Sequence, residues 1–276
     1  MGIDPLFFYA PELYRCFSSN QYVVCRLINK RIVANLFHST GTKAGNMDPQ
    51  TLPEYERTLL DTIKKQYTVA FEPLQVREHK LQLLKITDLE QILGGKDPLK
   101  DVSSFPFWIR LWEAAIVLAE FMAGLPREGK TTVLELGAGL GAPGLTAAAA
   151  GFSVTLSDYE TLILDFERIN AAASKLKNVN FALLDWLNPP EMEKFDVIIG
   201  AEILFREDFF EPLLNVLRTT LKPNGVVYFT HDIKRRSLEP FLKLAEKEYR
   251  IAASQRKLKS LEEDKIILLT RLQPRH

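Results

Sequence analysis

Thr132-Val-Leu-Glu-Leu-Gly-Ala-Gly-Leu-Gly-Ala-Pro-Gly144 carries an apolar run into a glycine-rich turn and then into the alanine-rich stretch 145–150. The apolar run suits a strand buried on both faces of a parallel sheet. Glycines let the chain turn sharply and bring backbone N–H groups close to a ligand at a helix N-terminus. The stretch reads as a nucleotide-cofactor site, and its spacing fits two templates. As Gly139-x-Gly141-x-x-Gly144, followed at a suitable distance by Asp158, it matches the dinucleotide fingerprint. As Glu135-x-Gly137-x-Gly139-x-Gly141 it places an acid ahead of the turn, and the rest of the chain must decide which nucleotide is meant.

From Lys130 onward, strand-like and helix-like segments alternate with turn residues between them, the pattern of a parallel α/β sheet. Strands are expected at 133–136, 152–157, 180–184, 195–200, 226–230, 249–253 and 265–271. A helix is expected at 161–177, where Leu162, Phe166, Ile169, Ala173 and Leu176 recur at helical spacing. Two more are expected, one at 209–221, ended by the turn Lys222-Pro-Asn-Gly225, and one at 238–248. The last two strands have no helix between them and must therefore run antiparallel, since parallel neighbours need a long crossover. The fold class is α/β: a Rossmann-like seven-stranded sheet, mostly parallel with an antiparallel last strand, plus an N-terminal extension.

Residues 1–104 differ in texture and are expected to form a mainly helical extension ahead of a cofactor domain at 105–276. They hold an aromatic start (Phe7, Phe8, Tyr9, Tyr14, Phe17), a Gly/Thr/Asn-rich break at 39–48 and a helix at 53–66 with a proline at its entry. A weakly alternating strand at 77–86 and a loop at 94–104 follow. The extension reads either as a substrate-recognition cap or as extra cover for the core.

Bulk properties narrow the class. With 276 residues the chain can bury one large core, or one core plus a smaller module. Lys+Arg and Asp+Glu balance at 35 each, which gives no argument for nucleic acid or an acidic membrane as partner. Cys16 and Cys25 lack CxxC spacing and fit free thiols in a reducing compartment. No apolar run reaches the roughly 18 residues of a membrane span. Asp4, Pro5, Glu12 and Arg15 interrupt the apolar residues at the start, so no signal peptide is read there. A soluble cytoplasmic protein is expected.

Open α/β sheets gather their ligands at the carboxyl ends of the strands. Asp158 ends the second strand, where a carboxylate can accept ribose hydroxyls; its alternative role is a helix cap before Thr161. Asp185-Trp186 ends the third, with an acceptor for an adenine amino group and an aromatic face. His231-Asp232 has no companion at metal-ligand spacing, so no metal site is expected. Asn188-Pro-Pro190 reads as a loop, and Lys234-Arg-Arg236 as a solvated helix entrance. No Tyr-x-x-x-Lys or similar catalytic partner stands out for a nicotinamide oxidoreductase.

Five segments then occur in one order: Phe105-Pro-Phe-Trp-Ile-Arg-Leu-Trp112, Leu134 to Gly144, Leu156-Ser-Asp-Tyr159, Leu184-Asp-Trp186 and Phe195-Asp-Val-Ile-Ile-Gly-Ala-Glu-Ile-Leu-Phe205. Together they resemble class I (seven-β-strand) S-adenosylmethionine (SAM) methyltransferases, in particular the lysine methyltransferases that modify non-histone proteins. The resemblance covers residue 105 to the C-terminus. It implies that Trp108 and Trp112 lie beside SAM, and that Glu135, Gly137, Ala138, Gly139 and Gly141 face its methionine moiety. It further implies Asp158 and Tyr159 at the ribose, Asp185 and Trp186 at the adenine, and Ala201 in the same wall. The family's Asp-x-x-Tyr after the fourth strand corresponds here to Glu202 and Phe205, the implied catalytic pair. An acid there would orient an incoming ammonium, and an aromatic ring would line a lysine channel. Phe205 lacks the tyrosine hydroxyl, and Glu202 is one methylene longer than aspartate. The implied acceptor is a lysine side chain of a protein; a small-molecule amine and a non-catalytic SAM-fold scaffold are the other readings.

Overall fold

The computed structural model describes residues 47–88, 106–126, 129–259 and 264–275, together with the backbone of three short strands near the N-terminus. The residues Phe7, Phe8 and Tyr9, Cys25, the break at 39–46 and the loop at 94–104 lie outside the described residues. In chain order the elements are β1 (Tyr14–Ser18), β2 (Gln21–Val24), β3 (Ile32–Val33), α1 (Glu54–Lys64), β4 (Val69–Val76), β5 (His79–Ile86) and α2 (Glu113–Gly124). Then come β6 (Thr132–Leu136), α3 (Ala142–Ala149), β7 (Ser153–Asp158), α4 (Thr161–Ala173), β8 (Val179–Leu183) and β9 (Phe195–Ala201). The chain continues with α5 (Phe210–Thr220), β10 (Leu221–Asp232), α6 (Leu238–Ala245), β11 (Tyr249–Lys259) and β12 (Lys265–Pro274).

The apolar run before the glycines is β6, with parallel neighbours β7 on one side and β9 on the other. The expected strands assemble in the order β11-β12-β10-β9-β6-β7-β8, with β12 antiparallel to both β10 and β11. The chain runs outward from β6 through β7 and β8, then returns to β9 on the other side. That reversal leaves a crevice at the carboxyl ends of β6 and β9, where such sheets bind ligands. β1 pairs antiparallel with the outer edge of β11, and β2 with β1, while β3 runs parallel to β11.

Both faces of the sheet are buried, so neighbouring residues in one strand serve opposite cores. Val133, Val154, Leu156, Val197 and Ile199 point into one core with Leu118, Met122, Leu145 and Ala147 from α2 and α3. Leu134, Leu136, Ile198, Val227 and Phe229 enter the other, against Leu213, Leu217, Phe241 and Leu242 of α5 and α6. The sequence Lys222-Pro-Asn-Gly225 forms an irregularity inside β10 rather than a separate turn: the pairing with β9 shifts register between Leu221 and Val226.

The described part of residues 1–104 contains more strand than helix, unlike the mainly helical extension expected. α1 is its one described α-helix, and β4 and β5 form an antiparallel hairpin turning at Arg77-Glu78. Arg77 takes a positive φ of 50°, and its guanidinium pairs with Glu120 of α2 at 2.7 Å. Leu74, Val76, Leu81 and Leu83 join the α2/α3 core, and Leu60, Leu84 and Ile86 pack with Phe166 and Ile169 of α4. Residues 52–86 therefore share the cores formed by the sheet and its helices. No described helix is long and apolar enough to cross a membrane.

Asn170 of α4 ties this hairpin to the glycine turn. Its Oδ1 accepts the Leu84 N–H at 2.6 Å, and its Nδ2 donates to the Leu140 carbonyl at 3.0 Å, all in the buried interior. Asn170→Ala removes the partner of two buried backbone groups at once. It is expected to lower stability by about 2–4 kcal/mol in urea unfolding, and a loss below about 0.5 kcal/mol would refute this bridging role.

Candidate active site

Gly137, Gly139 and Gly141 have φ values of 59°, 57° and 74°, in the left-handed region that glycine enters without steric cost. Space adds to this at Gly137 and leaves Gly139 in ordinary contact. A Cβ on Gly139 would meet the Trp108 carbonyl oxygen at 3.4 Å, and one on Gly137 would meet Ile203 Cγ2 at 3.1 Å and Trp186 Cζ2 at 3.9 Å. Gly144, already inside α3, faces a harder limit: its Cβ would lie 2.3 Å from Leu156 and 2.5 Å from Glu135 Oε2. The turn is thus the floor on which Trp108, Trp186 and Ile203 converge from three separate elements.

Carboxylates hold the floor from below. Gly139 N–H donates to Asp158 Oδ2 at 3.0 Å, and Tyr159 N–H donates to Oδ1 at 2.8 Å. Gly144 N–H donates to Glu135 Oε2 at 2.7 Å. Glu135 is 2% exposed, Asp158 7% and Glu167 of α4 0%. Burial pushes the Glu135 carboxyl up to about 8; the Gly144 N–H opposes that shift and the Asp158 charge adds to it. Asp158 is pushed up to about 6, again by burial, against the pull of the Gly139 and Tyr159 N–H groups. Glu167 is raised well above the ordinary range, first by burial and then by Asp158 and Glu135, and among the described residues neither of its oxygens has a hydrogen-bond partner.

This arrangement bears on which nucleotide fits. A phosphate at a helix N-terminus needs free N–H donors. Here Gly141 caps α3, and of the first three helical residues Pro143 has no N–H to give and the Gly144 N–H is taken by Glu135, which leaves Ala142 alone to donate. Of the three buried acids, Asp158, at about 6, is the one that carries a charge near neutral pH, which disfavours a pyrophosphate and favours a cation. A ribose-bearing ligand with a sulfonium and an ammonium suits this cradle. Gly137, Gly139, Asp158, Trp108 and Trp186 are the residues that would hold it.

The other expected site residues fall into two groups. Ala138 N–H donates to the Ser157 carbonyl, which keeps the turn registered on β7. Ala201 packs beside Ala114 and Val117 of α2 at the end of β9. Trp108 also sets its ring edge-on to Phe166 at 5.0 Å, and Trp186 does the same to Phe209 at 6.1 Å. Trp112, Tyr159 and Asp185 are shown with local partners instead. Trp112 Nε1 donates to the Phe107 carbonyl and carries Arg110 over its ring, Asp185 accepts the Leu187 N–H, and Tyr159 is exposed.

The implied catalytic pair is divided in character. Phe205 is 53% exposed, beside the Phe209 ring at 5.7 Å. Glu202 is mostly buried and already engaged: Oε1 accepts the Asp232 N–H at 2.7 Å, and Oε2 meets the guanidinium of Arg235. Burial raises its pKa, while Arg235 and the Asp232 N–H pull it back. Arg235 belongs to the cluster read from sequence as a solvated helix entrance; the structure turns it inward. His231, fully buried, accepts the Leu204 N–H on Nε2 and is pushed down to about 3 by burial and by Arg235, so its ring is neutral. Ile203, Glu167 and Arg235 were not legible as site residues. Arg235 and Glu202 stand 33 positions apart and belong to no spacing motif.

Residues 107–248 match the model of a family described as lysine methyltransferase. The chain is similar to the protein N-lysine methyltransferase METTL21A of Xenopus tropicalis, 30% identical over 151 residues that cover 51% of this chain and 68% of that protein. It is similar also to the histone-arginine methyltransferase METTL23 of Rattus norvegicus, 30% identical over 163 residues, covering 52% and 70%. Among solved structures, a SAM-dependent methyltransferase from Agrobacterium tumefaciens shares the fold, with a TM-score of 0.52 and 17% identity over 74% of this chain and 70% of that one.

The buried acids are expected to make stability fall as pH rises. Glu135 has an ordinary value of 4.5 and a folded value of about 8, so between these limits the folded chain binds more protons than the unfolded one. Its contribution is fully present below about 4.5 and is lost as pH rises through about 8. Without ligand, urea unfolding should show stability declining by a few kcal/mol across that window, and less steeply in Glu135→Gln. Identical slopes in the two proteins would show that Glu135 is ionised throughout.

Proposed function

The chain belongs to the lysine methyltransferase family, and from that premise we propose that it transfers the methyl group of SAM to a lysine side chain of a protein. The observation that carries the reading is the cradle itself: a glycine turn in which the Gly144 N–H is taken by Glu135, set against the buried carboxyls of Glu135, Asp158 and Glu167. SAM supplies a methyl group on a sulfonium, activated for displacement by an amine.

The protein's part is to position groups and exclude water. Asp158 steadies the turn through Gly139 and retains lone pairs for ribose hydroxyls. Trp108 and Trp186 flank the floor with apolar surface. Past Trp186, the rings of Phe205 and Phe209 continue that surface outward, and Phe205 offers an exposed face to a cation. A lysine amine has a reference pKa of about 10.4 and must lose a proton before it can attack. Desolvation between such rings favours the neutral amine. Arginine, the residue named for METTL23, is effectively always protonated, so desolvation cannot free its lone pair as it can that of a lysine amine.

In this reading residues 105–276 form the cofactor unit and 1–104 the extension, of which 52–86 contribute core cover. Balanced charge and two cysteines without paired spacing support a cytoplasmic enzyme that has no nucleic-acid partner.

Incubation with labelled SAM and cell extract should give a discrete labelled protein band that yields methyllysine on hydrolysis. Methylarginine alone, or label confined to small molecules, would sink the lysine assignment. Phe205→Ala should raise KM for the labelled protein about tenfold, the loss of a cation–π contact and its apolar area, with SAM affinity by calorimetry unchanged. An unaltered KM would remove Phe205 from the acceptor path.

A further inference from the structure

Glu202 sits just past β9 with φ 58°, a left-handed conformation that a non-glycine residue keeps only when its surroundings hold it. Its N–H donates to the Thr230 carbonyl at 2.9 Å, and its carboxylate is gripped by the Asp232 N–H and by Arg235. The next residue, Ile203, stands against Gly137, and Phe205 follows two positions later. Residue 202 is therefore joined directly to the wall along which an acceptor amine would approach. A bare carboxylate at that point would stabilise an ammonium and so oppose the deprotonation that transfer requires.

We propose that Arg235 is a positioning residue for methyl transfer: by pairing with Glu202 it cancels the carboxylate's charge, so the acceptor amine meets a neutral ion pair and is not trapped as ammonium. The inference rests on the lysine-acceptor reading and adds to it a residue that the spacing of motifs does not mark. The other charged groups around Glu202 are consistent with this role. Asp232, on the β10 side, lies 4.0 Å from Lys265 of β12, and His231 behind it is neutral. Arg235 is thus the cation that faces Glu202 directly, with a side chain only 29% exposed.

The test uses the full chain and two pooled libraries of short peptides, one centred on lysine and one on ε-acetyl-lysine. Binding is measured with S-adenosylhomocysteine present, and transfer with labelled SAM from neutral to alkaline pH. Arg235→Gln should bind the lysine pool several-fold more tightly near neutral pH while transferring roughly tenfold more slowly. Its rate profile should move to higher pH by about one unit, the equivalent of that tenfold change. Arg235→Lys should stay near wild type, and the double variant Glu202→Gln/Arg235→Gln should lose both the tighter binding and the displaced profile. Equal slowing at every pH together with weaker binding of both pools would reduce Arg235 to a structural prop and overturn the proposal. So would a double variant that stays displaced. SAM titrations and melting temperatures confirm that each variant is folded. Preference for lysine over acetyl-lysine in the binding arm reads the charge cancellation whether or not lysine is the residue labelled in extract, so the two claims fail separately.

Discussion

The hydrogen bond from Gly144 N–H to Glu135 is the constraint on which the rest of the site depends. It fixes the end of β6 against the first turn of α3, and it requires a glycine at 144 because a side chain there would overlap both Glu135 and Leu156. Once α3 is held so closely, the intervening chain must reverse within a few residues, and it does so through three left-handed glycines. Asp158 then secures the middle of that reversal through Gly139, and Ser157 donates to the Glu135 carbonyl at 2.6 Å. Two adjacent parallel strands are thereby locked at their carboxyl ends, with the crevice open above them. The cost is electrostatic: acids that would be solvated elsewhere are buried, and their pKa values rise accordingly. A cation placed against these carboxyls would draw their values down again.

Much of the sheet could be read from the chain because each of its strands obeys a local rule. β6, β7 and β9 are short apolar runs buried on both faces, and turn residues or helical periodicity separate them. The elements that escaped notice lack such marks. α2 is buried on nearly every side, with only Glu113 and Glu120 as polar residues, so it shows no amphipathic stripe. β4 contains Pro73, ordinarily a strand breaker, which is tolerated because among the described residues β4 pairs with β5 alone. The pairing of β11 with β1 joins residues far apart in sequence, which no local pattern announces.

The site divides along the same line. The glycines, Asp158, Trp108 and Trp186 could be singled out because a resemblance fixed their order, and folding brings them close together. That logic fails for Glu202, whose position in the motif suggested a free carboxylate. Its partner Arg235 comes from the loop after β10, so the charge an acceptor would meet there is set by tertiary structure rather than by motif. Glu167 escapes for a related reason. It lies on the buried side of α4 between Phe166 and Arg168, and only the fold brings it near Asp158 and Glu135.

The two templates that the glycine spacing satisfies also look different once the structure is known. In a dinucleotide site the last glycine allows a helix to pack closely on a strand, and the helix then offers its N-terminal N–H groups to a pyrophosphate. Gly144 meets the packing requirement here, since no side chain could fit between α3 and β7. It does not leave the donor free, because an acid two residues before the first glycine of the turn reaches across and takes it. The spacing of glycines therefore encodes the tight approach of helix to strand, which both cofactor classes share. The residue that claims the N–H decides whether that donor can serve a phosphate, and at Gly144 Glu135 withdraws it.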